Sequence, residues 1–196
     1  MRGRESVKFL ARSVATLAVL PALLSYCTRK CFLGPDRALE GSSQALALIP
    51  GIPGQYLRRA FLSRVLARCH PSSTVEFGTI FSKRDARIDE NVYIGPGCHI
   101  GLVHIERDSL LGPGVQIPSG RLTHGISDTS RPISQQPGLR TLVRIGAGSW
   151  IGGAAVIMAD VGNKSVVGAG AVVTRALPDG VVACGVPARV LRQRDT

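Results

Sequence analysis

Three histidines in the middle of the chain carry the side chains best suited to acid–base or metal chemistry. Four residues separate His99 from His104, and His124 follows alone between Thr123 and Gly125. Imidazole titrates near neutral pH, so a histidine can take a proton from a substrate or, when neutral, bind a metal ion. An isolated loop histidine is also often only solvated, so His124 has two interpretations until the elements around it are known.

A six-residue repeat surrounds these histidines and predicts the element that positions them. Each unit has an aliphatic residue, usually a glycine after it, two variable positions, and then a small or aliphatic residue. Seven units share this register, and they begin at Ile94, Ile100, Leu111, Ile145, Ile151, Val161 and Val167. Repetition at a short fixed period is typical of a parallel β-helix, in which each coil buries its apolar face against the next.

The glycine after the leading aliphatic residue indicates a sharp bend at the end of each strand, because glycine tolerates unusual backbone angles. Three such sides close a triangular prism with the aliphatic residues stacked inside. The small residues four positions later suit a narrow interior, and they are Cys98, Ser149, Ala155, Ser165 and Ala171. We therefore predict a mainly β fold, a parallel β-helix of roughly four coils.

Three faults interrupt the register. The step from Ile100 to Ile105 lacks one residue, and the step from Ile157 to Val161 lacks two. We interpret both as local bulges. Residues 118–142 show no repeat and are rich in Gly, Pro and Ser. A long irregular segment inside a compact repeat is more often functional than structural, so residues 118–142, which contain His124, are the predicted active-site loop.

Residues 1–70 differ from the rest of the chain in charge and pattern. They carry 11 Lys and Arg against 3 Asp and Glu, whereas residues 71–196 carry 13 against 10. An apolar run over residues 13–27 is shorter than the ~20 residues that a membrane-spanning helix needs. Residues 55–69 fit a basic amphipathic helix. This segment predicts a membrane-surface anchor or a re-entrant helix, with a cap on the β-helix and a cleaved signal peptide as alternatives.

The charge and the cysteines limit partners and compartment. The basic residues lie among aliphatic rather than aromatic side chains, and no nucleic-acid recognition motif is present, so we expect no nucleic-acid partner. The cysteines are odd in number and irregularly spaced, which favours reduced thiols; they are Cys27, Cys31, Cys69, Cys98 and Cys184. We expect a cytoplasmic protein, peripheral to the cytoplasmic face of the membrane.

The ordered set of motifs resembles the hexapeptide-repeat acyltransferases, in the branch of galactoside, maltose and polysaccharide O-acetyltransferases. The set consists of the repeat, its interruption by a histidine-bearing loop, and the segments 144–153, 167–175 and 183–190. The resemblance covers about residues 75–193, within a repeat domain predicted over residues 71–193. It implies left-handed coils, a homotrimer with active sites between neighbouring prisms, and acetyl-CoA as co-substrate without a metal ion.

The same resemblance assigns roles to single residues. His124 matches the catalytic histidine, which would take the proton of a sugar hydroxyl as it attacks the thioester. Gly153 and Ala169 match backbone positions along the pantetheine arm, and Trp150 matches a tryptophan beside the thioester. The remaining matches would hold the adenine and phosphate end, where cations suit the phosphates; they are Thr174, Arg175, Arg189 and Arg192.

Two details of the predicted site stay open. Where the soluble sugar acetyltransferases have an acceptor-side asparagine, this chain has Cys98 and His99. Either Asp128 or a backbone carbonyl would orient His124. The predicted activity is therefore an acyl-CoA-dependent O-acetyltransferase, with a sugar of a cell-surface polysaccharide or a lipid-linked glycan as acceptor.

Three alternatives remain beside this prediction. The nearest is an acetyltransferase for a small acceptor such as serine or an antibiotic. A metalloenzyme resembling the γ-class carbonic anhydrases would use His99, His104 and His124 as ligands. Against it, the repeat puts His104 at a small interior position and His99 at a variable one. The third alternative is a β-helix scaffold without chemistry.

Overall fold

The computed structural model describes the backbone of residues 2–194 and the side chains of residues 10–194. Within this range four helices come first: α1 (Arg2–Ala18), α2 (Leu20–Leu33), α3 (Pro35–Ala47) and α4 (Gly51–Val65). Sixteen short strands follow: β1 (Arg68–Cys69), β2 (Thr74–Val75), β3 (Ile80–Phe81), β4 (Arg87–Ile88), β5 (Tyr93–Ile94), β6 (His99–Ile100), β7 (Val103–Ile105), β8 (Leu110–Leu111), β9 (Gln116–Ile117), β10 (Val143–Ile145), β11 (Trp150–Ile151), β12 (Val156–Ile157), β13 (Val166–Val167), β14 (Val172–Val173), β15 (Val181–Cys184) and β16 (Arg189–Gln193). A 3-10 turn, Ile133–Gln135, lies in the loop between β9 and β10.

The strands pass in turn to three sheets, so the chain coils as a triangular prism. Sheet A has the order β1-β4-β7-β10, sheet B the order β2-β5-β8-β11-β13-β15-β16, and sheet C the order β3-β6-β9-β12-β14. The coils are parallel, and only β16 returns antiparallel, beside β15. Val161 and Leu177 continue sheet A as isolated parallel bridges. The prism thus has about six coils.

The prediction of roughly four coils is wrong because the end coils lack the glycine that marks the repeat. In the first coil Val75 and Phe81 point into the prism and are fully buried, yet Glu76 and Ser82 follow them. The first strand begins at Arg68, three residues before the predicted domain boundary at residue 71. Burial, rather than the glycine, is therefore the property that all coils share.

The glycine after the leading aliphatic residue has a different reason from the predicted one. Gly95, Gly112 and Gly152 do not have positive φ, whereas the next glycine along, such as Gly97, does, at 69°. A Cβ on Gly112 would lie 2.7 Å from the nitrogen of Gly153 in the coil above. The first glycine therefore permits the close approach of stacked coils, and the second makes the bend.

The small interior residues are confirmed, and the serines among them also link the coils. All five predicted positions are buried: Cys98, Ser149, Ala155, Ser165 and Ala171. The hydroxyl of Ser149 donates to the Gly162 carbonyl at 2.8 Å and accepts a hydrogen bond from the Ser165 amide at 3.1 Å. A buried hydroxyl is costly without partners, so this two-way bonding explains why serine is tolerated inside an apolar prism.

One corner of the prism, between sheets C and A, takes up all the variation in coil length. The interior step there runs from Phe81 to Ile88 in the first coil and from Ile157 to Val161 in the fourth. The two faults interpreted as bulges both lie at this corner, and so does the long insertion of residues 118–142. A corner that accepts insertions without disturbing the stacked sheets is a suitable place for a functional loop.

The third and fourth helices form a cap over the first coil. Helix α3 packs against β3, and α4 packs against β1 and β2. Leu39 and Phe61 are fully buried in this layer. The helix predicted within residues 55–69 therefore ends at Val65, and its buried apolar side chains cover the open end of the prism. The cap alternative is what the structure shows for this segment.

Arg58, counted by sequence among the exposed basic residues of that helix, is instead buried in the cap. Its Nε donates to the Val75 carbonyl at 3.0 Å, and its Nη1 donates to the carbonyls of Leu46 and Ile49 at 3.1 and 2.7 Å. Burial lowers the pKa of the Arg58 guanidinium below its ordinary value. Arg58 therefore fastens α3, α4 and the first coil to one another through backbone acceptors.

The first two helices form an outer layer on this cap. They bury Ala15, Val19 and Tyr26, whose ring meets Phe61 edge-on at 6.0 Å. Large apolar side chains of this layer remain exposed: Leu10, Val14, Leu17, Leu20, Leu24, Phe32 and Leu33. No single helix of the described chain is both long and apolar enough to span a membrane, although residues 10–18 and 20–33, bent by 42°, meet that test as a pair.

Candidate active site

A polar cleft of about 280 Å³ lies between the outer face of sheet C and the loop of residues 118–142. Its walls come from three successive coils and from both ends of the loop, and they are Ser82, Lys83, His99, Gln116, Ile117, Pro118, Ser119, Thr123, His124 and Arg140. The loop emerges from the corner between sheets C and A, so it stands directly over the outward side chains of sheet C. The predicted catalytic residue therefore lines this cleft, with its side chain exposed to solvent.

Backbone pairing within the loop holds His124 at the cleft. The Leu139 amide donates to the Leu122 carbonyl at 2.6 Å, and the Thr141 amide donates to the Ser119 carbonyl at 2.9 Å. Beyond this ladder Gln136 is buried, and its side-chain amide donates to the Asp128 carbonyl at 2.7 Å. These bonds make residues 118–142 a folded lobe that places His124 at the wall of the cleft.

Asp128, one of the two groups that could orient His124, makes other contacts. Its carboxylate accepts hydrogen bonds from the Ser130 amide and hydroxyl, at 2.9 and 2.6 Å, and lies 3.4 Å from the Arg131 Nε. The bonds from Ser130 lower the pKa of Asp128 below its ordinary value. Asp128 therefore organises the loop tip.

Of the two residues near the place of the acceptor-side asparagine, only His99 faces the cleft. Cys98 points into the prism, where its Sγ donates to the Gly112 carbonyl at 3.3 Å and burial raises the pKa of the thiol. His99 and Gln116 are paired in register on the outer face of sheet C. These two side chains thus line the cleft together with His124.

Cations accompany the histidines in the cleft wall. Lys83 makes an ion pair with Asp36 at 2.9 Å, and Arg140 comes from the end of the loop. Burial alone would raise the pKa of Asp36, but hydrogen bonds from the Arg84 amide and from Lys83 lower it below its ordinary value. Sequence reasoning missed both cations. Arg140 could have been found as a basic residue of the predicted loop, whereas Lys83 belongs to the coil that the glycine pattern did not reveal.

His104 does not occupy the interior position that the repeat assigned to it. In β7 the neighbours Val103 and Ile105 are buried, and His104 points outward, where its Nε2 lies 3.0 Å from Asp89. The assignment is wrong because the shortened corner shifts the register by one residue. His99 is on sheet C and His104 on sheet A, and no group of three or more metal-binding side chains occurs among the described residues.

Gly153 and Ala169 lie one above the other at the corner between sheets B and C. The first two residues of this turn are Gly-Pro in the second and third coils, at Pro96 and Pro113, but Gly153 and Ala169 take the place of the proline in the next two coils. Neither the Gly153 nor the Ala169 amide donates a hydrogen bond within the described part of the chain. Strand spacing in a sheet puts these two free donors about 4.8 Å apart.

Trp150 lies on the outer face of sheet B, on the other side of that corner. It is 54% exposed and stands in register with Leu110 below it and Val166 above it. Tyr93 extends the row by one coil. The structure thus puts Trp150 in an outward apolar row, separated from Gly153 by one short turn.

The four residues predicted to hold the adenine and phosphate end of acetyl-CoA do not lie together within one chain. Arg189 begins β16 and pairs with Cys184, which lies directly above Gly168. Arg189 is therefore in line with Ala169, the residue after Gly168. Arg192 lies further along that strand, opposite Val182. Thr174 and Arg175 follow β14 at the corner between sheets C and A. Of these four residues, only Arg189 therefore lies in line with the free Gly153 and Ala169 amides of the same chain.

A further loop residue, Arg121, connects the loop to the prism. Its Nη1 donates to the Thr174 carbonyl at 3.2 Å, which fastens the base of the loop to the fifth coil. Arg121 lies three residues before His124, and its basic side chain beside the histidine was the available sequence signal. The base of the loop that carries His124 is thus joined to the fifth coil.

Comparison with known proteins finds O-acetyltransferases among the similar sequences. No family model matches the chain. It is 29% identical to the galactoside O-acetyltransferase of Escherichia coli (strain K12) over 169 residues, 73% of this chain and 81% of that protein. It is 33% identical over 125 residues to the provisionally named lipopolysaccharide biosynthesis O-acetyl transferase WbbJ of the same strain, covering 59% of this chain but only 61% of that relative. The chain is thus similar in sequence to proteins named as sugar and lipopolysaccharide O-acetyltransferases.

Solved structures show the same fold. A maltose O-acetyltransferase from Clostridium difficile 630 matches with a TM-score of 0.68 and 23% identity, over 82% of this chain and 89% of that one. A hexapeptide-repeat acetyltransferase from Vibrio cholerae, complexed with acetyl coenzyme A, matches with a TM-score of 0.65 and 23% identity over the same fractions. The left-handed β-helix predicted from the resemblance is thereby confirmed.

Proposed function

We propose that this protein transfers an acetyl group from acetyl-CoA to a hydroxyl group of a sugar. The observation that carries the proposal is His124, which a folded loop holds in a polar cleft, in a chain whose relatives are named sugar O-acetyltransferases. We further propose a sugar of a cell-surface polysaccharide or a lipid-linked glycan as acceptor. The relative WbbJ, named for lipopolysaccharide biosynthesis, supports that choice.

The cleft supplies the parts that such a transfer needs. The acceptor hydroxyl lies between His99, Gln116 and the imidazole of His124. His124 takes the hydroxyl proton while the oxygen attacks the thioester carbonyl, and it returns the proton to the departing thiolate. The side-chain amide of Gln116 can donate a hydrogen bond to the oxyanion that develops on that carbonyl. The reaction leaves an acetyl ester and free CoA.

The corner between sheets B and C fits the elongated arm of acetyl-CoA. Pantetheine carries two amide carbonyls, and the free amides of Gly153 and Ala169 offer two donors in a line along the prism axis. Arg189 continues this line and can contact phosphate. Thr174, Arg175 and Arg192 complete the proposed phosphate and adenine site, and Trp150 covers the thioester end from sheet B.

Replacement of Ala169 by proline tests the donor line with little risk to the fold, because Pro96 and Pro113 occupy the same turn position in other coils. Removing one hydrogen bond should raise KM for acetyl-CoA roughly 3- to 10-fold, with a smaller change in kcat, because the arm binds equally in ground and transition states. Steady-state kinetics measure both constants. Pro113→Ala is the matched control and should leave KM unchanged; an unchanged KM in Ala169→Pro would remove this amide from the site.

The outward apolar row on sheet B supports a homotrimer. Tyr93, Leu110 and Trp150 form its exposed part, and the loop adds exposed apolar residues: Leu122, Ile126, Ile133, Leu139 and Leu142. A row of this kind on a soluble prism favours burial against another copy of the same chain. Sedimentation equilibrium tests this proposal, since a mass of one chain under assay conditions would contradict it.

Thiol release tests the transferase proposal and separates it from the other acetyltransferases. The purified protein is incubated with acetyl-CoA and with glycans, serine or antibiotics in parallel. We expect CoA release above the rate of hydrolysis with glycans alone. Release with serine or an antibiotic, and none with any glycan, would transfer the assignment to a small-acceptor enzyme.

We also propose that the protein is peripheral to the cytoplasmic face of a membrane, held there by the outer layer of α1 and α2. Support comes from the exposed apolar side chains of that layer and from the positive excess of residues 1–70. Basic residues at the edge of an apolar surface are attracted to anionic lipid, and the apolar side chains enter the interface.

Deletion of residues 1–33 should release the protein into the soluble fraction while the prism stays folded. The deletion ends before α3 because Leu39 and Phe61 belong to the cap and are fully buried. Cell fractionation measures the distribution, and circular dichroism checks the fold. High salt should release the full-length protein only in part, because apolar contacts resist screening. Full-length protein that is soluble without detergent would contradict the anchor.

A further inference from the structure

Three guanidinium groups surround a small cavity between α1 and α4. The cavity has a volume of about 180 Å³, and its cations are Arg12 of α1 together with Arg59 and Arg64 of α4. No carboxylate lines it among the described side chains. Three like charges around one cavity repel each other unless an anion lies between them. The cavity therefore favours an anionic ligand.

The cap fixes two of these cations in place before any ligand binds. The Arg64 guanidinium donates to the Ala60 carbonyl at 2.6 Å and to the Thr16 hydroxyl at 3.1 Å. The Arg59 guanidinium donates to the Ser73 carbonyl at 3.3 Å and stacks over the Tyr56 ring at 4.6 Å. A guanidinium has five N–H donors, so each keeps donors for a phosphate after these contacts.

An apolar groove of about 530 Å³ runs beside the cavity, along the other flank of α1. Its walls come from the same two helices: Leu10, Ala11, Val14, Ala15, Ala18, Ile52, Pro53, Tyr56 and Leu57. Tyr56 lines both the groove and the cavity. Leu10, Val14 and Ile52 are more than half exposed there. The positively charged cavity and the apolar groove thus lie on opposite sides of Tyr56.

We propose that the cavity and the groove together bind one anionic phospholipid. Its phosphate lies among Arg12, Arg59 and Arg64, and an acyl chain passes Tyr56 into the groove. A free phosphate would fill only the cavity, and the groove requires hydrocarbon. This site rests on the proposed membrane association and gives it a lipid preference, because the cations of the cavity repel the ammonium of a zwitterionic head group.

Vesicle flotation with the full-length protein tests the site. The vesicles are phosphatidylcholine alone or phosphatidylcholine with phosphatidylglycerol. Loss of all three charges, in Arg12→Gln/Arg59→Gln/Arg64→Gln, should weaken binding to the anionic vesicles by about 100-fold. The charge-matched control, Arg84→Gln/Arg87→Gln/Arg107→Gln on the prism, should change binding by about 2-fold or less. Equal losses in both variants would show non-specific attraction and overturn the site.

Two further measurements keep the result interpretable. Because Arg59 also contacts Ser73 and Tyr56, the pair Arg12→Gln/Arg64→Gln is measured beside the triple variant and should lose at least about 20-fold. Calorimetry then compares glycerol 3-phosphate with dihexanoyl phosphatidylglycerol, which has the same phosphate and two acyl chains. Tighter binding of the lipid supports the proposal, and equal affinity would mean a phosphate site without a lipid.

Acetyl transfer to a soluble acceptor should be unchanged in these variants, because the cavity is on the helical layer and not at His124. If transfer is intact and the full-length protein floats equally well with or without the three arginines, the lipid site alone is wrong. If the full-length protein does not float with anionic vesicles at all, the membrane association fails too. If no acceptor supports transfer, only the enzymatic proposal fails.

Discussion

The His124→Ala variant should transfer acetyl groups with a kcat about 10²- to 10⁴-fold lower than the unaltered protein, the usual contribution of a general base. The acceptor hydroxyl is a poor nucleophile while it keeps its proton, and His124 is the cleft residue that the folded loop holds over sheet C. Acetyl-CoA should bind nearly as before, because the proposed donors for its arm are on another corner. Initial rates and acetyl-CoA titration measure the two effects separately.

Two other variants show whether the loss belongs to the imidazole. Asp128→Asn should reduce kcat by less than about 5-fold, because its carboxylate contacts Ser130 and Arg131. His99→Gln shares the cleft and should raise KM for the acceptor more than it lowers kcat. If His124→Ala retains activity within a few-fold of the unaltered protein while His99→Gln loses it, the base is His99 and the assignment of His124 is wrong.

The prism itself could be predicted because its signal is strictly local. Within a coil an interior position recurs every six residues, and burial at Ile94 and Ile100, and at Ile105 and Leu111, follows directly from that spacing. The glycine pattern does not predict the first coil, because Glu76 and Ser82 stand where the repeat has glycine. Val75 and Phe81 satisfy the burial rule without the glycine. A search for apolar residues at that spacing alone would have included them.

The position of the helices could not be predicted, because it depends on what covers the end of the prism. A basic amphipathic pattern is the same whether its apolar face meets a membrane or a protein coil. Arg58 shows the difficulty most clearly: its charge suggested an exposed flank, yet three backbone carbonyls accept its hydrogen bonds inside the cap. Those acceptors come from segments distant in sequence, so no local pattern contains them.

The candidate site was partly predictable for the same reasons. His124 and Arg140 belong to one irregular segment, which its composition marks. Lys83 and Gln116 join them only through the stacking of successive coils, so their place depends on the register of the first three coils. His104 depends on the same register. Because the corner is one residue short, His104 points outward instead of occupying the predicted interior position.

The second large effect is expected for the close approach of coils, at Gly152. A Cβ at this position would lie 2.8 Å from the Ala169 Cα and equally close to the Gly168 carbonyl carbon. Backbone cannot move aside without breaking the bond from the Gly152 amide to the Val167 carbonyl, which is 2.7 Å long. Gly152→Ala should therefore lower the free energy of unfolding by about 3 kcal/mol or more, measured by urea denaturation.

Ala154 provides the control two residues away on the same turn. Its φ of 58° is the angle that glycine adopts at the equivalent positions of other coils, such as Gly97 at 69°. Ala154→Gly relieves the strain of an L-residue in this region but gives the unfolded chain more freedom, so the change should be within about 1 kcal/mol. Large loss in Gly152→Ala and little change in Ala154→Gly would establish that the first glycine serves coil contact and the second serves the bend. Loss of equal size in both variants would contradict that division, because it would mean that the whole turn, and not one contact, limits stability.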